Sequence, residues 1–153
     1  MTEQAVEGRT EPTNHRPPLR NGSGHTIEGV QAHSSLLRLD GVFEPPYLVV
    51  DGEVDISTLA SFTATLADVL EHSSGDVWVD VEGLSFIDVG GLRALAAAAC
   101  RLELQNRRLV LRSVAPHLAR LMDLVGWSQI PGLLMLPAAI VTPSARRPDH
   151  GST

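Results

Sequence analysis

The sequence predicts an α/β domain built on a mixed, largely parallel β-sheet. Short apolar runs alternate with longer stretches of helical periodicity between residues 36 and 136, and two such runs precede the first helical stretch. Alternation of strand and helix favours parallel strands joined by right-handed crossovers, and the leading pair adds an antiparallel or mixed edge.

Each element follows from local pattern. Residues 36–39 and 47–50 are apolar runs separated by Gly41 and the Pro45 and Pro46 pair, so they read as antiparallel strands. Ser57 is placed to cap a helix over 58–72, with Leu59, Phe62, Leu66, Val69 and Leu70 on one stripe and a stop at 73–75. Residues 77–81 read as a buried strand. Asp88 then opens a long helix over 89–105, whose stripe is Leu92, Leu95, Ala96, Ala99 and Leu102. Residues 109–112 form a strand, Pro116 starts a helix over 116–124, and Gly126 stops it. Residues 133–136 make the last strand.

The domain organisation comes from composition. All six aromatic residues fall between Phe43 and Trp127, whereas residues 1–34 have none and are rich in Pro, Gly, Ser, Thr, His and Glu. Such a segment cannot offset its ordering entropy by burial, so 1–34 is expected to be disordered. The folded domain is expected over 35–136 and a flexible tail over 137–153, with 138–141 able to prolong the last strand.

Charge and residue usage exclude several functions. The chain carries 12 Lys+Arg against 18 Asp+Glu, a formal net charge of −6, which disfavours nucleic acid and anionic membrane as partners. Every cation is arginine, so a P-loop lysine, a Schiff-base lysine and the lysine of a receiver domain are all absent. Cys100 has no second cysteine to pair with, and a reducing cytosol is the expected compartment. Residues 1–20 are polar and do not read as a signal peptide. The longest apolar run, 94–100, is far short of the ~18 residues a membrane span needs.

Two segments can carry function. In Asp88-Val89-Gly90-Gly91-Leu92 an N-capping aspartate is followed by a glycine pair, leaving helix-start N–H groups open to a carboxylate, a phosphate or a partner loop. An ordinary capped helix with a tight turn accounts for the same residues. In Asp51-Gly52-Glu53-Val54-Asp55 three carboxylates alternate along a strand end, which suits acid–base work, a hard cation, or simple solvation. The six histidines are scattered without metal spacing, and no Gly-x-Ser-x-Gly elbow occurs. Cys100 reads as a small buried thiol, and Arg107 with Arg108 as a cationic cap for the preceding helix or a small contact patch. No catalytic, cofactor or metal constellation is expected.

Gly52-Glu53-Val54-Asp55 together with Leu84-Ser85-Phe86-Ile87-Asp88-Val89-Gly90-Gly91-Leu92 resembles the STAS domain of bacterial anti-sigma factor antagonists. Arg108-Leu109-Val110-Leu111, Pro116, 118–121 and Leu124-Val125-Gly126 support the match over about 36–136. The resemblance implies a single domain, a mixed central sheet with helices packed mainly on one face, and a cytoplasmic, non-catalytic binding switch. The implied partner is an anti-sigma factor of the GHKL serine-kinase type. The implied contact residues are Glu53, Asp55, Asp88, Val89, Gly90, Gly91 and Leu92. In the family the motif reads Asp-Ser-Ser-Gly or a variant and the second serine is phosphorylated; here Gly90 holds that place and has no hydroxyl. A scaffold or ligand-sensing STAS module is the alternative, and the oligomeric state is left open.

Overall fold

The structure is a computed structural model that describes residues 19–20 and 26–138. Expectations for 1–18, 21–25 and 139–153 lie outside the described residues. In chain order the elements are β1 (Leu19–Arg20), β2 (Thr26–Ile27), β3 (Gly29–His33), β4 (Leu37–Phe43), β5 (Pro46–Val54), α1 (Leu59–Glu71), β6 (Val77–Asp80), β7 (Leu84–Ile87), α2 (Val89–Glu103), β8 (Leu109–Val114), α3 (Pro116–Leu124), a 3-10 turn (Trp127–Gln129) and β9 (Leu133–Pro137).

The main sheet has the order β3-β4-β5-β6-β8-β9, antiparallel from β3 to β5 and parallel from β5 onward. Strand β7 pairs with the far end of β5, continuing the line of β6, while β1 and β2 form a separate ladder. A mixed sheet with three helices is the architecture that the resemblance implies.

Register explains the single core. One face aligns Leu39 with Val50, then Leu48 with Val79, Leu111 and Met135, and Val77 with Leu109 and Leu133. These residues share one hydrophobic cluster with Phe62, Leu66, Val69 and Leu70 of α1, Leu92, Leu95 and Leu102 of α2, and Leu118 and Met122 of α3. Each such side chain contributes about 1.5–3 kcal/mol by leaving water. The opposite face aligns Val42, Tyr47, Trp78, Val110 and Leu134. There the Tyr47 hydroxyl donates to Asp80 at 2.9 Å, and burial with that carboxylate beside it pushes the phenol's pKa up.

Several expectations change. Strand β3 lies inside the segment expected to be disordered: it pairs with β4, and Val30 and Ala32 turn inward at period two. Strand β4 runs through Gly41, because a Cβ there would stand 2.8 Å from Val69 Cγ2; the glycine lets α1 pack close instead of breaking the strand. Cys100 is exposed. Arg107 caps the other helix: its guanidinium donates to the carbonyls of Leu70, at the end of α1, and Gly75 and to the Ser73 hydroxyl. Arg108 pairs with Asp76.

Candidate functional site

Parallel strands bring their carboxyl ends to one edge of the sheet, and both candidate segments meet there. At the end of β5, Glu53 lies beside Phe86 and Val54 beside Ile87. The Asp88 amide donates to the Val54 carbonyl at 3.0 Å, tying the start of α2 to the end of β5. Strand β7 carries one extra residue, Ser85, between its pairs with Gly52 and Glu53, and the Ser85 hydroxyl donates to the Gly52 carbonyl at 3.0 Å.

Asp88 is the N-cap of α2, its Oδ1 accepting from the Gly91 amide at 2.9 Å. The two glycines differ. A Cβ at Gly91 would sit 2.6 Å from Ile87 Cγ1 and 2.7 Å from Val54 Cγ1, so this residue closes the core beneath the loop. A Cβ at Gly90 would meet only Leu59 Cδ2 at 3.1 Å and Asp88 Oδ1 at 3.3 Å, at the border with solvent. Leu92, expected in the contact patch, is 0% exposed and belongs to the core, because the helical period turns it beneath the first turn. Its side chain is closed to any partner.

Asp55 occupies the turn before α1. Its Oδ1 accepts from the Ser57 amide at 2.8 Å, the Ser57 hydroxyl at 2.6 Å and the Thr58 amide at 3.2 Å. The Ser57 hydroxyl and then the Ser57 amide hold this carboxyl below the usual carboxylate range, opposed by slight desolvation. Ser57 therefore does not cap the helix with its own side chain, and the N-cap residue is Thr58. The Thr58 hydroxyl, buried, donates to the Glu53 carbonyl at 2.9 Å.

The three alternating carboxylates thus do separate work. Asp51 lies against Gly83, where a Cβ would overlap it, Asp55 is engaged at α1, and the Glu53 carboxylate has no hydrogen-bond or ion-pair partner among the described residues. No group of three His, Cys, Asp or Glu is placed to hold a metal ion among the described residues.

Sequence reasoning named Val89 but missed Phe86 and Ile56, the rest of the apolar part of this edge. Phe86 is 50% exposed, Val89 54% and Ile56 90%, on three neighbouring segments. The carboxylates of Glu53, Asp55 and Asp88 lie beside these apolar side chains, and the exposed Arg93 follows near the start of α2. Beside this edge runs a groove of about 170 Å³ between β7 and α3. The missed signal was Ile56 and Phe86 standing outside any helical or strand stripe.

This edge presents a capped helix start, large apolar side chains and carboxylates, the composition of a protein contact surface. No helix among the described residues is long and apolar enough to cross a membrane.

The chain is similar to several known proteins. An anti-sigma-B factor antagonist of Staphylococcus aureus is 25% identical over 77 residues, covering 50% of this chain and 71% of the relative. An anti-sigma factor antagonist from Mycobacterium paratuberculosis superposes with a TM-score of 0.52 at 19% identity, covering 76% of this chain and 90% of that one. The unphosphorylated anti-sigma factor antagonist SpoIIAA superposes with a TM-score of 0.51 at 20% identity, covering 67% and 89%. Residues 37–137 match the family model described as "Mlab, STAS domain". The chain belongs to the STAS-domain family.

Proposed function

We propose that this protein is a cytoplasmic anti-sigma factor antagonist that acts by binding, without catalysis, an anti-sigma factor of the GHKL serine-kinase type and so releases the sigma factor. The observation that carries the reading is the edge at the start of α2, where Phe86, Val89 and Gly90 face outward within a rim of Glu53, Asp55 and Asp88. Family membership and the names of its relatives support it. Gly91 and Leu92 hold the surface from below. Phe86 and Ile56 take the place that Leu92 was expected to have, as apolar anchors.

Gly90 stands where the family's phosphoacceptor serine is expected. Without a hydroxyl it carries no phosphate, so the ~1.5–2 negative charges of a phosphoryl group never reach this edge. Antagonism is then constitutive, or regulated elsewhere. Incubation with the cognate kinase and ATP is expected to leave residues 85–92 unmodified by mass spectrometry; phospho-Ser85 would contradict the reading. The missing hydroxyl favours a scaffold or ligand-sensing module as well, and thermal stabilisation by a nucleotide or small ligand would select that second reading.

A further inference from the structure

Helix α3 carries more apolar surface than its own domain covers. Leu118 and Met122 are buried and turn into the core. His117, Leu121 and Leu124 recur at spacings of four and three, so they share a second stripe of the same helix. That stripe is open: Leu121 is 37% exposed, Leu124 is 77% exposed, and His117 is exposed as well. His117 and Leu121 also line the groove of about 170 Å³ whose other wall includes Leu84, Phe86 and Ile87. One surface therefore holds an apolar slot and, one turn further along α3, a protruding leucine.

The charges beside the stripe complete the pattern. Arg120 and Asp123 are exposed, and their side chains have no hydrogen-bond or ion-pair partner among the described residues. With His117 they are the titratable groups of α3. Around a two-fold axis, residue i of one copy meets residue j of the other and j meets i. In an antiparallel pair of α3 helices with the axis at Leu121, Leu121 meets its own counterpart, His117 meets Leu124 of the second copy, and Arg120 meets Asp123 of the second copy. All three pairings fall within one residue of a single register. Leu124 of each copy then enters the slot of the other beside His117, and two Arg120–Asp123 ion pairs flank the apolar contact. A parallel pairing would set Arg120 against Arg120 and Asp123 against Asp123.

We infer that the protein forms a symmetric homodimer through α3, in which Leu124 of each copy fills the β7–α3 groove of the other. The dimer does not depend on the antagonist reading. The nine residues of α3 make a helix about 14 Å long, so the contact belongs with small interfaces, below about 1,200 Å² in total. Dissociation is expected at about 10–100 µM. Phe86 lines the groove and also stands at the edge beside Gly90, so dimer and partner complex compete for it. That consequence alone rests on the partner-binding reading.

Sedimentation velocity of the full chain at low ionic strength, over a series from about 5 µM to about 1 mM, tests the dimer. The parent is expected to pass from monomer to dimer across that range. Leu124→Asp changes an exposed side chain, so it should keep the parent circular dichroism spectrum and stay monomeric throughout. Arg120→Asp and Asp123→Arg should each weaken dimerisation about three- to tenfold, since by symmetry each replaces two attractions with two repulsions. The two substitutions together should restore it. A parent that stays monomeric, a dimer that Leu124→Asp leaves intact, or a double variant no tighter than its singles would overturn the inference. No partner is present in these measurements, so such a failure leaves the antagonist reading standing. Conversely, a parent that dimerises as described, with a Leu124→Asp monomer that captures no anti-sigma factor, would sink that reading and keep the dimer.

Discussion

Alanine at Gly91 should destabilise and alanine at Gly90 should be nearly neutral, although the two residues are adjacent and both helical. A Cβ at Gly91 would approach Ile87 Cγ1 to 2.6 Å and Val54 Cγ1 to 2.7 Å, against ~3.5–4.0 Å for relaxed carbon contacts. Both neighbours are held, one by the end of β5 and one by β7. Overpacking of this kind costs about 1–3 kcal/mol, and the better helix propensity of alanine returns at most about 1 kcal/mol. Gly91→Ala is therefore expected to lose ~1–2 kcal/mol, a drop of roughly 4–12 °C in Tm for a domain of this size. At Gly90 the nearest atom is Leu59 Cδ2 at 3.1 Å, the far end of a flexible side chain. There the propensity gain offsets the contact, and Gly90→Ala should stay within about 0.5 kcal/mol of the parent. Urea unfolding followed by far-UV circular dichroism decides the matter. If Gly91→Ala proved as stable as Gly90→Ala, Gly91 would not be a packing residue and the division of labour in the loop would be wrong.

Other expectations follow from the same edge. Asp88→Ala removes the acceptor for the Gly91 amide and should cost about 0.5–2 kcal/mol in urea unfolding. Asp55 has its pKa lowered by the Ser57 hydroxyl, so its stabilising effect is full above the usual carboxylate range and fades as pH falls through its depressed folded-state value. The stability gap between parent and Asp55→Asn should accordingly close in acid, and a gap unchanged between pH 7 and pH 3 would count against the Asp55–Ser57 hydrogen bonds. Gly90→Ser, which the space at Gly90 admits, should create a substrate for the cognate kinase and lose partner affinity on phosphorylation. Absence of any phosphate on the variant's peptides spanning position 90 would argue that the kinase does not act there.

The elements most legible in the sequence were those with their own punctuation. Pro116 and Gly126 bracket α3, and its bounds fall at Pro116–Leu124 as expected. Helices α1 and α2 end within one or two residues of the expected limits. Less legible were elements whose reason lies elsewhere in the chain. Gly41 reads as a break until α1 is seen lying on it, with Val69 Cγ2 where a Cβ would go. Strand β3 has only Val30 and Ala32 to mark its period, too short a signal against its polar surroundings. Strand β7 shows no alternation because Ser85 is an extra residue against β5.

The site divides the same way. Asp88 as a cap was readable from Asp-x-x-Gly before an apolar stripe, and it caps Gly91. The burial of Leu92 and the exposure of Phe86 were not, since each depends on how β5, β7 and α2 meet. Asp55 illustrates a local competition: its carboxylate engages the Ser57 amide and hydroxyl in the turn before α1, and Thr58 rather than Ser57 is the N-cap residue. Arg107 follows α2 in sequence, yet the carbonyls it reaches belong to the end of α1 and the Gly75 loop.

The central claim is that the Phe86–Gly90 edge binds an anti-sigma factor. Affinity capture from the source organism's lysate, with parent and Gly90→Arg as paired baits and bound proteins identified by mass spectrometry, tests it most directly. The account predicts a GHKL-type anti-sigma factor retained by the parent and lost with Gly90→Arg, while the variant keeps its Tm to within a few degrees. Equal retention by both baits, or sensor and transporter components in place of an anti-sigma factor, would contradict it.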